Sequence, residues 1–297
     1  MEWHFFKTAG PGVNEALTNG LLDIVFQGDL PSIIGKANGL PTKIILAASR
    51  RANFQLATTE DSDAASLKDL RGRKVSIFKG TCTQLSANRL LEDAGLNEKD
   101  IKIYNMDTGT ATAALASKDV EAVFGGANLF AVRDRGLAKI VYDATKVDGG
   151  KYGCSTGLLV TEKFSEQHPD VVKRFVKAVV KVAAWSHDEA NRTALYQIWA
   201  KSGTPFKHWK ENFDGENFRI RQSVLLDDFF INSYRISTAD AKKYGFLRGD
   251  IDIDKWFDRS YLDAALAELK LEGFWTPEDV TGKPVASAAG HDQQASR

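Results

Sequence analysis

One pattern occurs twice in this chain, and it constrains the fold more than any other feature. Residues 15–28 read EALTNGLLDIVFQG and residues 113–126 read AALASKDVEAVFGG. Ala16, Leu17, Val25, Phe26 and Gly28 are matched by Ala114, Leu115, Val123, Phe124 and Gly126, and Asp23 by Glu121, at an offset of 98 residues. Each copy is a helix that turns into a short β-rich run ending at glycine. Solenoid units repeat every ~20–50 residues, so this offset is too long for one. Two readings remain. Either two helix-turn-strand units resemble each other by chance, or the chain is built as two lobes of one architecture. The order of elements around the copies favours two lobes.

That order alternates short β-rich runs with helical ones through the first half of the chain. Trp3–Phe6, Leu22–Phe26, Lys43–Ala47, Lys74–Phe78, Ile101–Tyr104, Val120–Phe124 and Lys139–Tyr142 read as strands. Val13–Asn19, Asp29–Asn38, Thr81–Ala94, Thr110–Ser117 and Leu129–Arg135 read as helices between them. Such alternation argues for βαβ units and a mostly parallel sheet, an α/β fold. Asn53–Thr58 and residues 152–161 read as return strands, which makes two crossings between the lobes. The expected division is 1–54 with 161–297 as lobe one and 55–160 as lobe two. From Pro169 the chain turns helical, with Val172, Val176, Val179 and Val180 on one face, and has no sheet of its own. The end, 286–297, reads as a disordered tail. Shifted back by 98, the strand at Lys74 and the helix at Thr81 have counterparts before Met1, so lobe one is expected to lack its first strand and helix.

Charge narrows the partners. Lys plus Arg and Asp plus Glu number 39 each, so no net field draws the chain to nucleic acid or an acidic membrane surface. A local site must supply any charge selectivity. No apolar stretch is long enough for a transmembrane helix, and Met1–Lys7 lacks the layout of a signal peptide. The two cysteines, Cys82 and Cys154, form no CxxC, and the five histidines have no ligand spacing, so no metal or other cofactor is expected. A disulfide between the two cysteines stays open at this stage.

In an open sheet, ligands bind beyond the carboxyl ends of the strands, where helices begin. Four turns sit there: Gln27-Gly28-Asp29, Lys79-Gly80-Thr81-Cys82, Thr108-Gly109-Thr110 and Gly125-Gly126-Ala127-Asn128. Glycine admits a close approach, and a helix N-terminus offers free N–H groups to an anion. Lys79-Gly80-Thr81 adds a cation and a hydroxyl, though without the glycine pattern of a P-loop. Ser155, on the second return strand, is a further candidate. Taken singly, each turn is also an ordinary capped βα connection.

EALTNGLLDIVFQGDLPSIIGKANG, SLKDLRGRKVSIFKGT, EAVFGG and GLLVTEKFSEQHPDVVKRFVKA together resemble the sulfonate, taurine and nitrate solute-binding proteins of ABC transporters. The resemblance implies a type II periplasmic-binding-protein fold. It also implies a periplasmic location, capture of a small organic anion between lobes, and a membrane permease as partner to a monomer. Its ligand loops fall on Gln27, Gly28 and Asp29, on Lys79, Gly80 and Thr81, and on Gly126 and Asn128. A sulfinate desulfinase resembles the same group, and it offers the competing expectation. In that reading Cys82, in the first turn of a helix beside Lys79, is a nucleophile.

Overall fold

The structure, a computed structural model, describes residues 1–147 and 152–285. Residues 148–151, whose sequence Asp-Gly-Gly-Lys reads as a loose turn, and the expected tail at 286–297 lie outside the described residues.

In chain order the elements are α1 (Ala9–Thr18), β1 (Ile24–Gly28), α2 (Asp29–Ala37), β2 (Thr42–Ala52), β3 (Gln55–Thr59), β4 (Lys74–Ser76), α3 (Cys82–Asp93), β5 (Lys102–Tyr104), α4 (Thr108–Ala116), β6 (Ala122–Gly125), α5 (Asn128–Asp134), β7 (Ala138–Asp143) and α6 (Ala144–Val147). Then follow β8 (Cys154–Thr161), α7 (Glu162–Gln167), α8 (Pro169–Ser186), α9 (Arg192–Ala200), α10 (Phe206–Asn212), α11 (Phe218–Arg221), α12 (Asp228–Lys243) and α13 (Ser260–Leu269). The run α1-β1-α2-β2 recurs as α4-β6-α5-β7, and Ile24 and Ala122, the first residues of β1 and β6, are 98 positions apart. The sequence repeat is therefore a repeat of structure.

Each repeat closes around a return strand. In one sheet the order is β1-β8-β2, with β8 antiparallel to β1. In the other it is β5-β4-β6-β3-β7, with β3 antiparallel to β6 and β7, and β4 parallel to β5 and β6. The five-stranded sheet is thus mixed, because β3 runs back between β6 and β7, and β8 takes the same middle place between β1 and β2. β6-β3-β7 matches β1-β8-β2, and among the described residues β4 and β5 have no counterpart in the three-stranded sheet.

This explains one departure from the sequence reading. Trp3–Phe6 alternates like a strand but is irregular, with Trp3 and Phe5 exposed. Shifted by 98 it corresponds to β5, whose sole partner is β4. A strand exists through its ladder, and among the described residues no equivalent of β4 supplies one.

The chain divides into two compact units. Unit 1 holds residues 1–14, 51–154 and 193–215, and unit 2 holds 15–50, 155–192 and 216–297. The first and second crossings that the sequence suggested at 54/55 and 160/161 fall at 50/51 and 154/155, and the chain also passes between the units at 14/15, 192/193 and 215/216. Residues 1–14 and 193–215, expected in lobe one, go with the middle of the chain. The physical reason for the second segment is visible in α10. Glu211 pairs with Arg133 of α5 at 2.6 and 2.8 Å, and His208 Nε2 meets Asp134 at 2.9 Å. These polar anchors carry no periodicity that a sequence shows.

In unit 1 the sheet is buried on both faces. Along β6, Ala122 and Phe124 join Val75, Ile77, Leu90 and Leu91 on one side, while Val123 joins Leu115, Leu129 and Val132 on the other. This period of two is what a strand between two helical layers requires. In unit 2, Leu30 and Ile33 of α2, Ile44–Leu46 of β2, Phe230 and Tyr234 of α12, and Trp256 are fully buried. No helix among the described residues is long and apolar enough to cross a membrane.

Unit 2 also carries an acid-sensitive point. Burial, with Arg192 and Arg219 nearby, pushes the His187 imidazole down from 6.5 to about 4. Its Nδ1 accepts the Trp275 indole N–H at 2.9 Å, which fixes the neutral form. The stabilisation from the neutral ring is complete above pH ~6.5 and is lost as pH falls towards ~4. Between pH 6.5 and 5 the expected loss is about 2 kcal/mol. His187→Gln should flatten that part of the curve, as read by urea unfolding across pH. An unchanged slope in the variant would assign the acid sensitivity elsewhere.

Candidate functional site

Unit 1 contains a cavity of about 190 Å³ at the carboxyl ends of β4 and β6 and beyond β5. Ser76 and Phe78 border it after β4, Met106, Thr108 and Ala111 after β5, and Val123–Gly126 at the end of β6. Cys82 and Thr83 of α3, Asn128 of α5, and the crossing residues Ala52–Phe54 and Cys154 complete the wall. The topology dictates this place. The parallel strands β4, β5 and β6 all point their carboxyl ends here, and each is followed by a helix that starts here.

The three helix starts differ in what they leave open. At α4 the Asp107 carboxylate accepts the amides of Gly109 and Thr110 at 3.0 and 3.2 Å. The Thr110 hydroxyl and these amides hold Asp107 below the usual carboxylate range. That N-terminus is already capped by a charge. At α3 the N-cap Thr81 makes no side-chain cap, because its hydroxyl donates back to the Phe78 carbonyl at 2.7 Å. The first helical residues, Cys82 and Thr83, border the cavity, and first-turn amides have no intrahelical acceptor. At α5 the Asn128 side chain organises the turn. Its Oδ1 accepts the Gly126 amide at 3.1 Å, and its Nδ2 donates to Thr112 Oγ1 at 2.8 Å. The obligate Gly126 donor fixes which way the amide points.

Of the residues singled out from sequence, Cys82, Gly126 and Asn128 border the cavity. Lys79, Gly80 and Thr81 do not. Lys79 is exposed, and its amide donates to Asn105 Oδ1 at 2.9 Å. The Gly80 amide donates to Gln84 Oε1 at 2.7 Å, and Gln84 is held in turn by Glu98. Pro11 packs over Gly80, 2.9 Å from where a Cβ would stand. The Lys79 and Gly80 amides and the Thr81 hydroxyl thus donate inside the protein, and the open helix start lies one residue further on. No lysine or arginine is among the residues bordering the cavity.

Gln27, Gly28, Asp29 and Ser155 belong to unit 2. Gln27 is buried in β1 and Asp29 at the start of α2, where Asp29 accepts Leu30 N and the Ser237 hydroxyl, both at 2.8 Å. Ser155 Oγ lies 3.0 Å from Ser233 Oγ. Asn53, Thr83 and the apolar Phe78 and Met106 border the cavity without having been singled out, and so does Thr108 from one of the four marked turns. Their positions follow from tertiary geometry. Only the 108–110 turn had marked one of them in the sequence.

Cys82 and Cys154 form a disulfide with Cα atoms 5.6 Å apart, and no described cysteine is free. This settles the open pairing and leaves Cys82 no thiolate in this state.

Doubly repeated lobes, return strands and a cavity at the strand ends define a two-lobed binding-protein fold. The chain belongs to the NMT1/THI5-like family, which matches residues 8–192. It is 28% identical over 272 residues to an aliphatic sulfonates-binding protein of Bacillus subtilis, covering 90% of this chain and 79% of that one. A periplasmic sulfonate-binding protein, SsuA, from Methylobacillus flagellatus aligns at a TM-score of 0.78 and 30% identity, over 91% of this chain and 82% of that one. The desulfurization enzyme DSZB shares the fold at a TM-score of 0.67 and 15% identity, over 89% and 95% of the two chains.

Proposed function

We propose that this chain is the periplasmic solute-binding component of an ABC importer and takes up a sulfonate with an apolar alkyl or aryl body. In this reading it works as a monomer that delivers its ligand to a membrane permease. The observation that carries the reading is the cavity itself. Its lining includes the open start of α3 and the polar residues Thr83, Thr108, Asn128 and Asn53. It also includes the apolar Phe54, Phe78, Met106, Val123 and Phe124. Neutral donors and a helix start suit a singly charged tetrahedral head. The apolar wall suits a carbon chain and gives a small inorganic anion nothing to touch. The sulfonate-binding names of the relatives agree with this chemistry.

The test is calorimetric titration with hexanesulfonate, taurine, nitrate and sulfate, with sulfite release assayed in parallel. Hexanesulfonate is expected to bind with Kd of about 1 μM or tighter, about −8 kcal/mol or more favourable. Nitrate and sulfate should bind at least about tenfold more weakly. Tighter binding of nitrate, or sulfite release abolished by Cys82→Ser, would overturn the reading, the latter in favour of a desulfinase.

A further inference from the structure

We propose that the Cys82–Cys154 disulfide is a redox-operated latch that fastens the second crossing of the chain to the wall of the cavity. The proposal rests on that cavity being the ligand site. Cys154 is the last residue of unit 1 before the chain passes at 154/155, and it opens β8. Cys82 is the first residue of α3, and both cysteines border the cavity. The bond therefore joins a ligand-facing helix start to the residue at which the crossing begins.

The two crossings also touch at this point. A Cβ on Gly153 would lie 2.6 Å from the Arg51 carbonyl carbon and 2.7 Å from the Ala52 oxygen, so only glycine fits against the first crossing. Arg51 itself is held at φ 47°, in the left-handed region that most side chains avoid. Ser86 of α3 donates to the Tyr152 carbonyl at 2.6 Å, which ties the approach to Cys154 a second time. With the disulfide opened, this hydrogen bond still holds the segment near α3. Opening should loosen the crossing without unfolding the unit.

The chemistry of opening is asymmetric. Cys154 is 5% exposed, whereas Cys82 is only half-buried and borders the cavity. A small dithiol entering the cavity would attack Cys82 Sγ, forming a mixed disulfide and releasing Cys154 as a thiolate. Its second thiolate then closes on its own sulfur and releases Cys82. Two electrons and two protons pass from the dithiol to the pair, and the dithiol leaves as a cyclic disulfide. The Cys82 thiolate departs at a helix N-terminus, where negative charge is favoured. A ligand in the cavity would cover the attacked sulfur, so binding and reduction oppose each other.

Hydrogen exchange on the intact chain without ligand tests the latch. It would compare the oxidised protein, the dithiothreitol-reduced protein and the Cys82→Ser/Cys154→Ser variant. Exchange at residues 152–157 and 82–86 is expected to quicken at least about tenfold in the last two, with the rest of the chain unchanged. Calorimetry with hexanesulfonate should show affinity about tenfold weaker in both, and hexanesulfonate should slow reduction. Unchanged exchange at 152–157 would overturn the proposal, and so would loss of protection throughout the chain, which would make the bond a staple of the whole fold. If the oxidised protein binds no sulfonate, the sulfonate reading fails and the latch is judged on exchange alone.

Discussion

Arg50→Met is expected to destabilise the protein by about 3–5 kcal/mol, the cost of leaving buried charge uncompensated. Arg50 is fully buried in unit 2, at the last position before the first crossing. Its Nη1 reaches Asp227 at 2.8 Å and Glu278 at 3.1 Å, and its Nη2 donates to the Leu225 carbonyl at 2.5 Å. Asp227 also accepts the Phe230 amide as N-cap of α12 and the Glu278 amide, so the cluster is knit into backbone from two elements. One cation faces two carboxylates, and the start of α12 supplies further positive field. Without the guanidinium, two buried carboxylates repel each other and must take up a proton or expose themselves.

The measurement is the urea midpoint of unfolding, with the slope checked for constancy. A second variant separates charge from packing. Arg50→Met combined with Asp227→Asn and Glu278→Gln keeps a side-chain oxygen at the N-cap of α12 and removes every charge. Neutral replacement of a buried ionic cluster of similar volume is often close to harmless. It should recover most of the loss. If the triple variant is as unstable as the single one, packing rather than uncompensated charge is the cause.

What the sequence disclosed and what it hid divide along physical lines. The 98-residue repeat was legible because helix turns and strand ends leave local marks, Gly28 and Gly126 after the strands among them. Strand and helix positions followed, since each has its own period. Trp3–Phe6 had the right period and no ladder, because pairing is a non-local condition. The Lys79-Gly80-Thr81 turn looked like an anion cradle because its residue types fit. The Lys79 and Gly80 amides and the Thr81 hydroxyl are instead claimed by Asn105, Gln84 and Phe78, and those acceptors could not be assigned from spacing. Asn128 at the cavity was legible because it closes a glycine turn between a strand and a helix. Asn53 was not, since its place there depends on where a crossing strand meets three helix starts. The return of 193–215 to unit 1 depends on single polar pairs such as Arg133 with Glu211, which leave no periodic trace.

Asn128→Asp is expected to abolish most ligand affinity while leaving the fold intact. The two side chains are nearly isosteric. The carboxylate keeps an acceptor for the Gly126 amide, now 3.1 Å from Asn128 Oδ1, and the Thr112 hydroxyl can turn to it from the Thr108 carbonyl, to which it now donates at 2.6 Å. A negative charge at the first residue of α5 is favourable to the helix, so the melting temperature should hold or rise slightly. The ligand meets the opposite situation. A carboxylate ~5 Å from a sulfonate, at an effective dielectric of about 20, costs about 3 kcal/mol. That corresponds to roughly a 100-fold loss of affinity or more. Asn128→Leu, which removes the hydrogen bonds without adding charge, should weaken binding less than the aspartate does. Titration of both variants with hexanesulfonate, beside their melting curves, measures the two effects separately. A stable Asn128→Asp protein that binds hexanesulfonate within threefold of the parent would place the anionic head away from α5 and remove Asn128 from the site.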